Sequence, residues 1–312
     1  MRFASLMLRL SCTTIVAITL GACAAGSDDA ADQSSAINSA NGDGGTATPL
    51  EGTHVRVIAG NLTSGNKQSW DPGDGIRILK GLKVDVALLQ EFNYGSNTDA
   101  DYKAMIGQAF EDGFYYTAET GVQIPNGVVS RWPIKESGTW EDPQVGNRAF
   151  QWARIDIPGD KDLWAVSMHL LTSNASRRQA EAKALVDKIK ANVPDSDYLV
   201  MGGDFNTPGR TEAALSTFGA ITRTTGPWPV DPQGKGGTNA SRSKPYDWVI
   251  ASRALDALEI PLVVGTQSFK NGLVFDSRTY NDLPSVAPVR KSDSGASNMQ
   301  HMGVVREFVI PE

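Results

Sequence analysis

Cysteine is nearly absent from this chain of 312 residues, with Cys12 and Cys23 the only two. Both fall in the first 23 residues, so no disulfide staples the body of the protein and its stability has to come from an apolar core. Histidine is almost as scarce: His54, His169 and His301 are the full set. There is no HExxH and no paired Cys or His spacing, which removes the usual zinc frameworks. The G-x-S-x-G elbow is missing as well, and with it the ordinary serine hydrolase. Basic charge is not in excess, since 29 Lys and Arg stand against 35 Asp and Glu. No global field of the kind that drives non-specific nucleic-acid binding is therefore expected.

Long apolar runs are lacking too. The N-terminal stretch "LSCTTIVAITL", residues 10–20, is too short to span a hydrocarbon core of about 30 Å at about 1.5 Å per helical residue. Preceded by Arg2 and Arg9 and followed by "LGAC", it reads as an export signal over residues 1–22. "LGAC" resembles the bacterial lipobox, which implies cleavage before Cys23 and lipidation of its thiol; two acyl chains anchor stably where one does not. Ala24 is not an aspartate, and lipoprotein sorting then favours the outer membrane of a bacterial envelope. Residues 24–53 are mostly Gly, Ser, Ala and Asp, too poor in large apolar side chains to offset the entropy of ordering, so a flexible tether is expected there.

What remains is one domain over residues 54–312. Setting aside the two basic residues of the signal and the five acidic ones of the tether leaves 27 basic against 30 acidic, close to neutral. The composition, 40% hydrophobic and 21% charged, is that of an ordinary globular protein. Strands are expected in "HVRVIAGN", "VDVALLQEF", "NGVVSRWPI", "FQWARIDIP", "LWAVSMHLL", "DYLVMGGDFN", "YDWVIAS" and "VVREFVI", by β-branched content, alternation or a buried apolar run. Helices are expected in "DGIRILKGLK", "DADYKAMIGQAFED", "NASRRQAEAKALVDKIKANV" and "TEAALSTFG", the third with a cap at Asn174 or Ser176. Interleaved strands and helices without a repeat point to a single α/β domain, expected to be monomeric.

Polar residues interrupt these strands at their ends. Asn61, Glu91, His169, Asp204 with Asn206, and Asp247 all sit where a strand begins or stops, which is where ligand sites of sheet proteins gather. Taken in order, "AGN", "LLQEF", "SRWPI", "SMHL", "GGDFNTP" and "YDWVIAS" resemble the endonuclease/exonuclease/phosphatase superfamily, which includes pancreatic-type DNases, abasic-site endonucleases, neutral sphingomyelinases and inositol-polyphosphate phosphatases.

The resemblance implies two packed, mostly antiparallel sheets flanked by helices. It also implies roles. Glu91 would bind a divalent metal with Asn61 beside it, and Asp204 would orient or deprotonate the attacking water. Asn206 would hold a phosphate oxygen, His169 would contact the phosphate, and Arg148 would bind phosphate. Asp247 would support the metal side or a histidine. Carboxylate and amide oxygens suit Mg²⁺, with Mn²⁺ as the alternative. Phosphodiester cleavage independently asks for a cation, a positioned water and donors aimed at phosphoryl oxygens.

One departure stands out. The family places an aspartate before the last histidine, whereas Gln300 precedes His301 here, so Asp293 is the candidate to orient that imidazole. Arg177, Arg178, Arg242 and Lys244 form a candidate local phosphate patch. The leading expectation is a Mg²⁺-dependent phosphodiesterase acting on nucleic acid or a phospholipid head group; a phosphomonoesterase of the inositol-phosphate type and a non-catalytic binding module on the same fold are the alternatives.

Overall fold

A computed structural model describes residues 51–65 and 68–312. The expected signal peptide, Cys23 and the tether up to residue 50 lie outside those residues. Chain order runs β1 (Thr53–Gly60), α1 (Asp74–Leu82), β2 (Val86–Leu89), α2 (Asp99–Ala109), β3 (Tyr115–Ala118), β4 (Gly127–Ser130), β5 (Ile134–Trp140) and β6 (Phe150–Ile155). It continues with β7 (Leu163–His169), α3 (Ala175–Asn192), β8 (Tyr198–Asp204), α4 (Ala213–Phe218), β9 (Asp247–Ala251) and α5 (Arg253–Asp256). Five strands close it: β10 (Glu259–Ile260), β11 (Leu262–Val264), β12 (Gln267–Phe269), β13 (Leu273–Phe275) and β14 (Gly303–Ile310).

Two sheets form the body. The first has the order β10, β14, β1, β2, β4, β3, with β13 also paired to β14; the second runs β5, β6, β7, β8, β9. Each is antiparallel except at one place, β1 beside β2 in the first and β7 beside β8 in the second. Their facing surfaces meet through side chains such as Val57, Ala59 and Leu88 on one side and Ala165, Val200 and Val249 on the other. Helices α1 and α2 cover the outside of the first sheet through Ile78, Leu79 and Met105. On the outside of the second, α3 and α4 bury Leu185, Ile189, Leu215 and Phe218 against Trp164 and Met201. The result is an α/β sandwich of four layers, as expected from the sequence. No helix among the described residues is long and apolar enough to cross a membrane.

Local chemistry explains the elements that frame the site. Asn174 caps α3, its side chain accepting from the backbone N–H of Ser176 and Arg177. Thr98 and Asp101 form a capping box that starts α2. The glycine pair of "LVMGGDFN" has a packing reason. A Cβ on Gly202 would stand 2.5 Å from the Trp248 carbonyl oxygen and 2.9 Å from Leu88, and one on Gly203 would stand 1.9 Å from the Met168 carbonyl oxygen at a φ of +138°. Only glycine lets β8 press this closely on its neighbours while its end carries Asp204.

Candidate active site

Register brings the polar strand ends together. The parallel pairing of β7 and β8 sets His169 opposite Asp204, and the antiparallel pairing of β8 and β9 sets Asp204 opposite Asp247. In the other sheet, parallel β1 and β2 align Gly60 with Leu89, so Asn61 and Glu91 emerge just beyond the same edge. His301 lies just before β14, and its backbone bridges to that of Asn239. All seven residues, Asn61, Glu91, His169, Asp204, Asn206, Asp247 and His301, are buried.

Asp204 is the hub. Its Oδ1 accepts the backbone N–H of Asn206 at 2.8 Å. Its Oδ2 lies 3.3 Å from His169 Nε2, 3.4 Å from His301 Nε2 and 3.4 Å from the Asn61 amide nitrogen. Asn206, in the left-handed region at φ 51°, donates its side-chain amide to the Leu170 carbonyl at 3.0 Å. Asparagine tolerates that backbone better than most residues, which accounts for its use at this turn.

The charges follow from this packing. Burial pushes the Asp204 carboxyl up to about 7, against the pull of His301. His301 is pulled both ways: burial disfavours its charge, but Asp247 and Asp204 outweigh burial and raise it to about 10. At neutral pH it is therefore an imidazolium, donating from Nδ1 to Asp247 Oδ2 at 2.8 Å. His169 goes the other way. Burial, with Arg148 and His301 nearby, drops it well below its ordinary value, so the ring is neutral.

The fit to a divalent cation can be judged from these groups. Asp204, Asp247 and His301 offer ligand atoms within 4.8 Å of one another. Yet Nδ1 of that imidazolium is given to Asp247 and Nε2 faces Asp204, which leaves no lone pair for a metal. Glu91 is different. Its buried carboxylate accepts only from neutral donors, Asn61 at 3.2 Å, Thr63 at 3.0 Å and Gln68 at 3.3 Å. No Lys, Arg or His pairs with it among the described residues, and the buried Oδ1 of Asn61 has no hydrogen-bond partner. A bare buried carboxylate beside an orphaned amide oxygen is a donor set for a hard cation.

Two expectations need correcting. Asp293 does not reach His301: it is fully buried and binds Arg77, at 2.8 Å from Nη2 to Oδ1, while Oδ2 accepts the Arg290 N–H. Asp247 holds the imidazole instead, so the chain needs no aspartate at position 300. Removing one partner of a buried pair is costly, and Asp293→Asn is expected to lower unfolding stability by about 3 kcal/mol in urea titrations while kcat per folded molecule stays within twofold. A collapse of kcat with unchanged stability would return Asp293 to the site.

The phosphate patch is the second correction. Arg242 is spent between Asp231 at 2.9 Å and Asp276 at 2.6 Å, Arg178 is spent on Glu212, and Arg177 on Gln144. Of these four basic residues only Lys244 is exposed and has no polar side-chain partner among the described residues. Arg148 is buried, and its guanidinium donates to the backbone carbonyls of His169 and Leu170 and to Asn147 Oδ1. It holds the segment that carries His169, with some of its N–H groups left over.

Sequence reasoning missed the layer beneath. Glu119, lifted by burial to about 7, accepts the N–H of Asn126, just before β4, and of Ala149, and so ties the residue after Arg148 to the start of β4. Glu181 on α3, lifted by burial to about 8, takes the N–H of Leu171 with both oxygens. For Glu181 the sequence signal was its place on the apolar face of the expected helix; Glu119 lies outside every expected element and carried no signal.

Comparison with known proteins agrees with this geometry. The model of the Endonuclease/Exonuclease/phosphatase family matches residues 76–265. An endonuclease/exonuclease/phosphatase from Bacteroides vulgatus shares the fold with a TM-score of 0.58 at 14% identity, covering 83% of this chain and 100% of that one. Truncated TDP2 from Caenorhabditis elegans gives 0.55 at 15% identity over 84% and 100% of the two chains. A mannosyl-6-phosphatase from Bacteroides thetaiotaomicron gives 0.57 at 15% identity over 82% and 100%. No curated protein matches the sequence.

Proposed function

The chain belongs to the endonuclease/exonuclease/phosphatase family, a family of phosphoester hydrolases, and from that premise we propose that it hydrolyses a phosphodiester with Mg²⁺ as cofactor. The observation that carries the reading is the meeting of a buried base, Asp204, with an imidazolium, His301, locked by Asp247, beside the cation-type donor pair Glu91 and Asn61.

Asp204 receives a proton from a water that attacks phosphorus, and its position near neutrality suits a general base at pH 7. As the new P–O bond forms and the bond to the leaving oxygen breaks, negative charge grows on the phosphoryl oxygens. The His301 imidazolium and the second N–H of the Asn206 amide would meet it in a buried site, while the neutral His169 ring keeps its one N–H on Asp204. A divalent cation held by Glu91 and Asn61 would neutralise further charge there. Water and a diester thus become a monoester and an alcohol.

Glu91→Gln tests the cofactor assignment. Losing the charged ligand should raise the half-saturating Mg²⁺ concentration by about tenfold or more, with activity recovering as Mg²⁺ is raised. The rise in melting temperature that Mg²⁺ gives the wild type should shrink in parallel. A variant with unchanged Mg²⁺ dependence on both readouts would remove Glu91 from the metal site.

A further inference from the structure

Beside His301 the chain carries a lip that the reaction itself does not use. The Tyr246 ring, partly exposed, lies 6.0 Å from the His301 ring, centroid to centroid. Lys244 Nζ stands 5.8 Å from the Tyr246 ring, exposed and with no carboxylate in ion-pair distance among the described residues. An aromatic face and then a free cation therefore lead outward from the reacting centre.

The lip is built rigidly. The Lys244 carbonyl accepts the N–H groups of Thr238, Asn239 and Tyr246, and its own N–H goes to Asn239 Oδ1 at 2.9 Å. Asn239 also takes the Ser243 N–H, and its backbone bridges to His301. Arg242, between Lys244 and Asn239 in sequence, is pinned by Asp231 and Asp276. So many anchors on one short turn mean that Lys244 and Tyr246 meet a ligand without a large ordering cost.

We propose that Lys244 and Tyr246 form a flanking subsite for single-stranded nucleic acid, in which Tyr246 stacks the base or sugar next to the scissile phosphate and Lys244 meets the following phosphate. This rests on the phosphodiesterase reading of the neighbouring site. Every base offers a π-face, so one tyrosine serves without sequence preference, and a single lysine suits a chain whose near-neutral charge gives no long-range attraction. A choline head group fits poorly. Recognition of a quaternary ammonium uses aromatic faces free of other cations, and the Lys244 ammonium, 5.8 Å from the Tyr246 ring centroid, repels a second cation, whereas it can swing onto a phosphate beside a stacked base.

The test uses the full chain with Mg²⁺ and three substrates: a single-stranded oligothymidylate, bis-p-nitrophenyl phosphate and sphingomyelin vesicles. The readout is the ratio of kcat/KM for the oligonucleotide to that for bis-p-nitrophenyl phosphate, which has no flanking phosphate. Lys244→Glu should lower that ratio about tenfold at low salt and flatten its salt dependence. Tyr246→Ala should lower it about five- to 150-fold, whereas Tyr246→Phe should restore most of it. Ratios unchanged in both Lys244→Glu and Tyr246→Ala overturn the subsite while leaving the diesterase reading intact. Sphingomyelin hydrolysed faster than the oligonucleotide, and faster still by Lys244→Glu, overturns it in favour of a lipid substrate. No turnover of any of the three by the wild type overturns the diesterase reading and the subsite together.

Discussion

Asp204→Asn is expected to lose between about 10² and 10⁴ in kcat on a phosphodiester, and no concentration of Mg²⁺ should bring it back. The amide keeps the shape of the carboxylate and can still accept the Asn206 N–H through its oxygen. It cannot take a proton. Its nitrogen would also point donors at His169 and His301, which already offer donors to Asp204 Oδ2. The contrast with Glu91→Gln separates the two acids: added metal offsets a weakened ligand by mass action but does not replace a base. Circular dichroism and melting curves should show the variant folded, because the amide fills the same volume and burial already disfavours the charge of the wild-type carboxyl.

Asp247→Asn should cost a comparable factor for a different reason. Asp247 touches no reacting atom in this arrangement; it positions His301 through the 2.8 Å contact at Nδ1 and holds the charge of the ring. Replacing a buried aspartate that orients a catalytic histidine removes both the orientation and the preference for the charged form. The pH profile distinguishes this from simple damage. In the wild type His301 stays charged until pH rises through about 10, so activity that needs the imidazolium should fall only on that alkaline side. Without the Asp247 charge the strongest influence holding the proton on the ring is gone while burial still opposes it, so the alkaline limb of Asp247→Asn should move to lower pH. A limb that stays in place would mean that Asp247 does not set the charge of His301.

How much of this could be read from the sequence depended on distance along the chain. Strand ends were legible because β8 has an unmistakable apolar run stopped by "GGDFN", and β7 and β9 have similar signatures. Eight strands and four helices of the sequence reading are present. The four-residue β3, the short strands β10 to β13, the polar "IKESGTW" of β5 and the one-turn α5 carried too little periodicity to be recognised. Within the site, residue identity was legible but pairing was not. Asp247 and His301 are 54 residues apart, and only the meeting of β9 with the segment before β14 reveals that they are partners. Asp293, nearer in sequence, is drawn away by Arg77, more than 200 residues earlier.

Basic residues misled for the same reason. Arg178 and Arg242 read as part of a phosphate patch because their acidic partners, Glu212, Asp231 and Asp276, stand 11 to 34 residues away and reach them only through the fold. Arg148 was found through the family pattern, but its engagement with the carbonyls of His169 and Leu170 depends on β7 passing beneath it. Buried carboxylates such as Glu119 and Glu181 could not be told from solvated ones until the layers closed over them.

One titration decides whether Asp204 is the base of a Mg²⁺-dependent hydrolysis: turnover of bis-p-nitrophenyl phosphate by the full chain, first stripped with EDTA and then titrated with Mg²⁺, wild type beside Asp204→Asn. Release of p-nitrophenol should stop in EDTA, return with Mg²⁺, and be lower by about 10² or more in Asp204→Asn at every Mg²⁺ concentration. Turnover that persists in EDTA, or that Asp204→Asn keeps, would contradict that assignment.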